Sequence, residues 1–143
     1  MKVYLSTRPQ PAEMIKSYTW ISSLDALEKR VANSEASAIL CDNFLSTVPF
    51  DAIGNAMRTI ISKMRINCEI TILNTDIAIL CEKFTREEIN IDTMNVLQYG
   101  RGAVKSAIPS SIIEDLLPEN VKVTEKHFDL ESCQICIKAR RLS

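Results

Sequence analysis

A chain of 143 residues can enclose one hydrophobic core and is too short for two domains of ordinary size. Hydrophobic residues make up 46%, charged residues 24%, and the net charge is −1. That balance excludes a disordered chain and argues against nucleic acid, whose binders carry a basic excess or stripe.

The one dense basic run is Lys138, Arg140 and Arg141. No stretch approaches the roughly 20 apolar residues of a membrane helix, and "MKVYLSTRPQPAEMI" lacks the apolar segment of a signal peptide, so no membrane partner is expected. The five cysteines, an odd number at 41, 68, 81, 133 and 136, make no disulfide framework. A reducing cytoplasm is the expected location.

In chain order, "KVYLS" (2–6) reads as a short strand, ended by "TRPQP", where Pro9 and Pro11 forbid regular pairing. "YTWI" (18–21) is a second strand. Ser22, Ser23 and Asp25 then offer caps to a helix carrying Leu24, Leu27 and Val31 at helical spacing. "SAILC" (37–41), apolar without alternation, reads as a strand buried on both faces. From about Pro49 to Met64 a helix is predicted. Pro49 suits its first turn, Asp51 its N-terminus, and Ile53, Ala56, Met57, Ile60, Ile61 and Met64 form one stripe. "CEITIL" (68–73) follows as a strand, giving half of a βαβ crossover.

"IAILCEKF" (77–84) reads as helical, and "TREE" (85–88) as a capping box that opens a new helix through Met94 and Leu97 to Gly100 and Gly102. "SIIEDLL" (111–117) is a short helix stopped by Pro118. "VKVTEKHF" (121–128) and "SCQICIKA" (132–139) are strands joined by "DLE", a connection short enough to make them antiparallel. The expected fold class is α/β: a mainly parallel, Rossmann-like sheet with helices on both faces and a reversed C-terminal strand.

Here the pattern resembles the class I S-adenosylmethionine-dependent methyltransferases. Small members carry an "aspartate, any, isoleucine" strand, a "leucine-glutamate-histidine" loop, an amphipathic helix, a "leucine-lysine-proline-glycine-glycine" turn and a strand ending in "proline-aspartate". The corresponding text here is "SAILCDNFLSTVP", the helix 49–64, "MRINCEITIL" and "NTD", with spacing kept from Ser37 to Asp76. "SAIPSSIIEDLLPENVKVTEKHFD" with "CQICIKARR" is similar to that family's last helix and two strands. The resemblance implies a single methyltransferase-like domain over 1–143, with about a strand and a helix fewer than a full-size member.

The departures from the family carry the functional reading. Where the family has a glycine-rich turn after its first strand, this chain has "STRPQPAE", with no glycine before Gly54. The family's glycines let backbone approach the cofactor closely, and two prolines here also remove donors. The family's ribose-binding acid falls near Ser22 to Asp25, where Asp25 is the one acidic residue and better read as a helix-cap residue. Ser46 and Thr47 stand where the family has glutamate and histidine. Asn67 and Cys68 replace two glycines before a strand, though Asn tolerates the left-handed conformation. Asp76 matches the family's strand-end aspartate.

Asp42, Asn43 and Asp76 fall at carboxyl ends of predicted parallel strands, where open α/β sheets place ligands; Asp and Asn are also the usual turn residues. Cys133 and Cys136 spell C-x-x-C, but strand alternation sends the sulfurs to opposite faces and no histidine completes a metal site. His127, the only histidine, reads as structural. Met57, Met64 and Met94 read as core fillers, and Tyr18 and Trp20 as aromatic residues suited to a partner surface.

The expectation is therefore a degenerate, non-catalytic methyltransferase-like domain acting as a binding or assembly protein, through a protein partner or self-association, with no cofactor. The alternative is a minimal methyltransferase that binds S-adenosylmethionine through an atypical loop, with Asp25, Asp42, Asn43 and Asp76 as its candidate cofactor-binding residues. The resemblance also points to a bacterial or phage source.

Overall fold

The computed structural model describes residues 1–100 and 103–143. Gly102, one of the two glycines expected to end a helix, lies outside the described residues. The elements are β1 (Lys2–Leu5), β2 (Thr19–Ile21), α1 (Leu24–Arg30), β3 (Ala36–Asp42), α2 (Ile53–Lys63), β4 (Met64–Thr75), α3 (Ile77–Thr85), α4 (Ile91–Tyr99), α5 (Ser110–Asp115), β5 (Val121–Asp129) and β6 (Gln134–Arg141). Short 3-10 turns occupy Ala12–Met14, Leu45–Thr47 and Phe50–Ala52.

The six strands form one sheet in the order β2-β1-β3-β4-β6-β5. β1 pairs in parallel with β2 and β3, and β3 with β4, whereas β6 runs antiparallel to both β4 and β5. This is the α/β, Rossmann-like sheet with a reversed final strand. Register aligns Val3 with Ile39, Ile39 with Ile70 and Ile70 with Ala139, and, one step along, Leu5 with Cys41, Cys41 with Ile72 and Ile72 with Ile137. These side chains share one face, where they pack with Leu27 of α1, Ile53, Met57 and Ile60 of α2 and Ile113 of α5 in the buried core. Each fully buried side chain of this size contributes roughly 1.5–3 kcal/mol. The stripe on α2 thus fixes which face of the sheet it covers. Tyr4, Leu40, Asp42, Leu73 and Cys136 occupy the other face.

Several local readings differ from the structure for identifiable reasons. Asp51 sits in a 3-10 turn ahead of α2. "TREE" opens no helix. Thr85 Oγ1 donates back to Cys81 O at 2.8 Å, Glu87 has φ 59°, and the cap of α4 is Asn90, whose side chain accepts from Thr93 N at 2.8 Å. A positive φ cannot continue a helix. β4 begins at Met64, directly after α2, and holds extra residues between its pairings with Ala36 and Ala38. Asn67, at φ 64°, takes the left-handed conformation that its sequence position requires. Met57 and Met64 are core residues, but Met94 is half-buried beside a cleft. Cys133 lies in the turn before β6, at φ 54°, and not in the strand. No helix among the described residues is long and apolar enough to cross a membrane.

Candidate functional site

The carboxyl ends of β1, β2, β3 and β4 lie along one edge of the sheet. The chain passes from β1 outward to β2 and then back across to β3, so the gap between β1 and β3 is where the strand order reverses, the usual ligand crevice of an open α/β sheet. Ser6, Arg8, Asp42 and Asn43 line a crevice there of ≈ 60 Å³. That is room for about two waters, at about 30 Å³ each, and not for a nucleotide.

The carboxylate and the amide of this crevice are engaged with neighbouring side chains. Tyr4 Oη donates to Asp42 Oδ2 at 2.6 Å, and Asn43 Nδ2 donates to Asp42 Oδ1 at 2.9 Å. Burial first, and then the bond to Asp42, push the Tyr4 hydroxyl up to about 12. Asn43 has φ 49°, its amide donates to Leu73 O at 2.7 Å, and its Oδ1 accepts from Thr75 N at 3.1 Å. It therefore acts as a clasp between the tips of β3 and β4. Asp76 is buried; its Oδ1 caps α3 by accepting from Ala78 N at 2.9 Å, and its Oδ2 accepts from Ser110 N at 3.3 Å at the start of α5.

Asp25 stands apart from these three. The cap of α1 is Ser23, whose Oγ accepts from Ala26 N at 3.1 Å, while Asp25 sits exposed in the first turn and pairs with Lys29 at 2.8 Å. The structure brings Asp42, Asn43 and Asp76 to one edge, with Asn43 and Thr75 bridging between their strands, and leaves Asp25 out.

In the loop after β1, at residues 6–11, two amides are engaged and two residues carry none. Ser6 N bonds Ile21 O at 3.1 Å, Arg8 N bonds Ser6 Oγ at 3.2 Å, and Pro9 and Pro11 have no N–H. The Trp20 indole donates to Ser6 O at 2.9 Å, which holds this loop to β2. No backbone between residues 6 and 18 has a positive φ.

Beside the crevice lies a larger cleft of ≈ 380 Å³. Leu24, Phe44, Val48 and Pro49 form apolar walls, Thr7 and Thr47 add hydroxyls, and Lys105 is the charged residue on its lining. This volume is within the roughly 300–1,000 Å³ of small-molecule sites. Its outer wall depends on the segment after α4: Lys105 N and Ser106 N donate to Ser46 O at 2.8 and 3.0 Å, and Ser106 Oγ donates to Val48 O at 2.9 Å. Ser46 Oγ in turn donates to Asn43 O at 3.2 Å, so the residue at the family's glutamate position is a structural brace.

His127 Nε2 lies 3.1 Å from Glu125 Oε2 on the exposed edge strand β5, a carboxylate neighbour that spacing alone did not reveal. Hydrogen bonds from His127 and from Lys138 hold the Glu125 carboxyl below its ordinary range. Cys133 is buried and Cys136 half-buried on the other face, where burial pushes its thiol up. Among the described residues no three His, Cys, Asp or Glu side chains group so as to hold a metal ion.

The partners most important to the site were hidden from sequence reading. Tyr4 meets Asp42, 38 residues away, only through the β1–β3 register, and Ser46 meets Lys105 and Ser106 only through the return of a long connection. No local pattern signals either contact.

Comparison with solved structures agrees with this topology. A SAM-dependent methyltransferase from Archaeoglobus fulgidus aligns over 96% of this chain and 74% of its own, at 11% identity and TM-score 0.55. The N-methyltransferase NodS from Bradyrhizobium japonicum WM9, in complex with S-adenosyl-L-homocysteine, aligns over 99% and 66%, at 10% identity and TM-score 0.60. The 1,6-didemethyltoxoflavin-N1-methyltransferase of Burkholderia thailandensis, with bound 1,6-didemethyltoxoflavin and S-adenosylhomocysteine, aligns over 97% and 60%, at 10% identity and TM-score 0.59. The chain thus spans about three fifths to three quarters of these structures' lengths. No protein-family model and no curated protein matches the sequence. Identities this low speak for the fold alone, and the fold is that of the class I S-adenosylmethionine-dependent methyltransferases.

Proposed function

We propose that this chain is one methyltransferase-like domain that works as a binding or assembly protein and not as a catalyst. The observation that carries the reading is that each candidate site residue already has a structural task. Asp42 is held by Tyr4 and Asn43, Asn43 by Thr75, Asp76 by two helix starts, and Asp25 by Lys29. A cofactor would have to share these carboxylates with the bonds that hold the strand tips and helix starts, and Pro9 and Pro11 remove two donors from the loop after β1. On this reading the protein acts through its surface, on a protein partner or a second copy, in a cytoplasm. A thermal-shift titration with S-adenosylmethionine and S-adenosylhomocysteine tests it: no change in melting temperature is expected, and clear stabilisation by either ligand overturns it. Light scattering reports whether the chain self-associates.

A second reading is supported by the ≈ 380 Å³ cleft at the carboxyl ends of the strands and by the S-adenosylhomocysteine bound in two of the compared structures. There the chain is a minimal methyltransferase, with the cofactor's adenosine against Leu24 and Phe44. Soaked crystals with that cleft empty count against it, and cofactor density in the cleft counts against the first reading.

A further inference from the structure

The sheet ends in two unlike edges. β2 is three residues long and is fastened by the bond from Trp20 to Ser6 O, whereas β5 runs for nine residues, Val121–Asp129, and none of the described strands pairs with its outer side. The outer backbone groups of an edge strand are a template that a further strand can pair with. Phe128, 48% exposed, stands on this strand among charged neighbours.

β6 fixes which way each β5 side chain points. Val123 lies opposite Ala139, Lys126 opposite Ile137 and Phe128 opposite Ile135, on the face of the core. Lys122, Glu125, His127 and Asp129 lie opposite Arg140, Lys138, Cys136 and Gln134, on the other face. The register shift between Val123 and Glu125 makes Thr124 the extra residue, its hydroxyl donating to Lys138 O at 3.2 Å, and it moves the core face from odd to even positions.

An antiparallel partner has to match core face with core face, so this bulge restricts the registers open to it. A second β5 meets the condition about a two-fold axis at Lys126. Phe128 then lies across from Val123 of the second copy, an apolar pair, and Asp129 across from Lys122 of the second copy, a pair of opposite charge. His127 lies across from Glu125 of the second copy, the same residue that it meets within its own chain at 3.1 Å. The axis repeats each pair. Lys126 would face its own copy, but its ammonium is already held by Glu114 Oε2 at 2.7 Å, so two ion pairs meet there and not two bare cations. Lysines and a bulge ordinarily guard an edge against self-pairing, and here the strand itself matches both.

We infer that β5 docks antiparallel on β5 of a second copy, so that one sheet runs through a two-fold dimer. This rests on the reading that the chain acts through its surface, and it names a second copy as the partner. The test follows the full chain by sedimentation velocity at rising concentration, with hydrogen exchange measured at low and high concentration. A monomer–dimer equilibrium is expected, with exchange slowed at the β5 amides in the dimer. In a Cys81→Ser background, which removes the exposed native thiol, Lys126→Cys should form a disulfide-linked dimer under mild oxidation at least about tenfold faster than Lys122→Cys, because the residue on the axis meets its own copy. A monomer up to about 1 mM, a dimer whose β5 amides exchange as in the monomer, or equal crosslinking at the two positions overturns the proposal. If the cysteine variants do not fold, the exchange pattern of the unsubstituted chain still decides. A monomer whose melting temperature is unmoved by S-adenosylmethionine overturns the dimer and leaves the non-catalytic reading standing, whereas a dimer stabilised by that ligand does the reverse.

Discussion

Tyr4 and Asp42, on the central strands β1 and β3, share a 2.6 Å hydrogen bond across the point where the strand order reverses. Burial and this bond raise the Tyr4 hydroxyl from 10.0 to about 12. The folded state therefore favours the protonated phenol, and the associated stability is fully present below about pH 10 and is lost as pH rises toward 12. Cys41, pushed by burial from 9.0 to about 12, adds a loss of the same sign that begins nearer pH 9. Urea midpoints measured from pH 8 to 12 should fall in this window. Tyr4→Phe should flatten the decline between pH 10 and 12, at a cost of about 1–2 kcal/mol at pH 7.

Asn43 does two things that alanine cannot do together. It occupies a left-handed conformation and its Oδ1 accepts from Thr75 N. Asn43→Ala should cost about 2–4 kcal/mol, from an unpaired buried amide and backbone strain. Asn43→Gly relieves the strain alone and should recover about 1 kcal/mol of that loss. Chemical denaturation of the three proteins checks the order, and equal stability of the alanine and glycine variants would show that strain is absent.

Arg141, near the end of β6, closes the C-terminus of α2. Its Nη1 donates to the carbonyls of Ile61, Ser62 and Met64 at 3.3, 3.4 and 2.6 Å. Ile61 O also accepts from Met64 N and Ser62 O from Ser34 N at 2.9 Å, so the guanidinium joins bonds already made at this helix end. Arg141→Ala should cost about 1–3 kcal/mol, and Arg141→Lys an intermediate amount, because an ammonium on a flexible stem cannot hold the guanidinium's fixed geometry. Hydrogen exchange should be faster at the end of α2 in both variants.

Two of the three aspartates read from the sequence as cofactor candidates, Asp76 and Asp25, differ sharply in what they hold. Asp76 joins the starts of α3 and α5, so Asp76→Ala should cost about 2–3 kcal/mol. Asp25→Ala removes an exposed ion pair with Lys29 and should change stability by less than about 0.5 kcal/mol, whereas Ser23→Ala removes a cap and should cost about 1 kcal/mol. Melting curves of the three variants separate these expectations.

What was legible in the sequence was what local chemistry dictates. The stripe from Ile53 to Met64 and the apolar runs at 37–41 and 68–73 give elements and order because helix and strand periods are read within one segment. The left-handed Asn67 was legible too, since few residue types tolerate that conformation. "TREE" misled because the pattern of a capping box is met equally by a helix end, and only the backbone at Glu87 distinguishes the two. Ser23 and Asp25 both suit a cap, and which is used depends on where the first turn closes. The site itself was half visible. The strand tips followed from the order of elements, but the pairing of Tyr4 with Asp42 and of Ser46 with the 105–106 segment needs register and a long-range return that no window of sequence contains.

Trp20 is the only tryptophan, 37% exposed, on a three-residue strand that is paired along one side alone and fastened through its indole to Ser6 O. Short edge elements held by few bonds open before the core does. Tryptophan emission should therefore red-shift at lower urea than the loss of far-ultraviolet ellipticity, and the gap between the two midpoints measures how independently β2 leaves the sheet. If the midpoints separate in that order, the chain carries an optical reporter at the place where its unfolding begins.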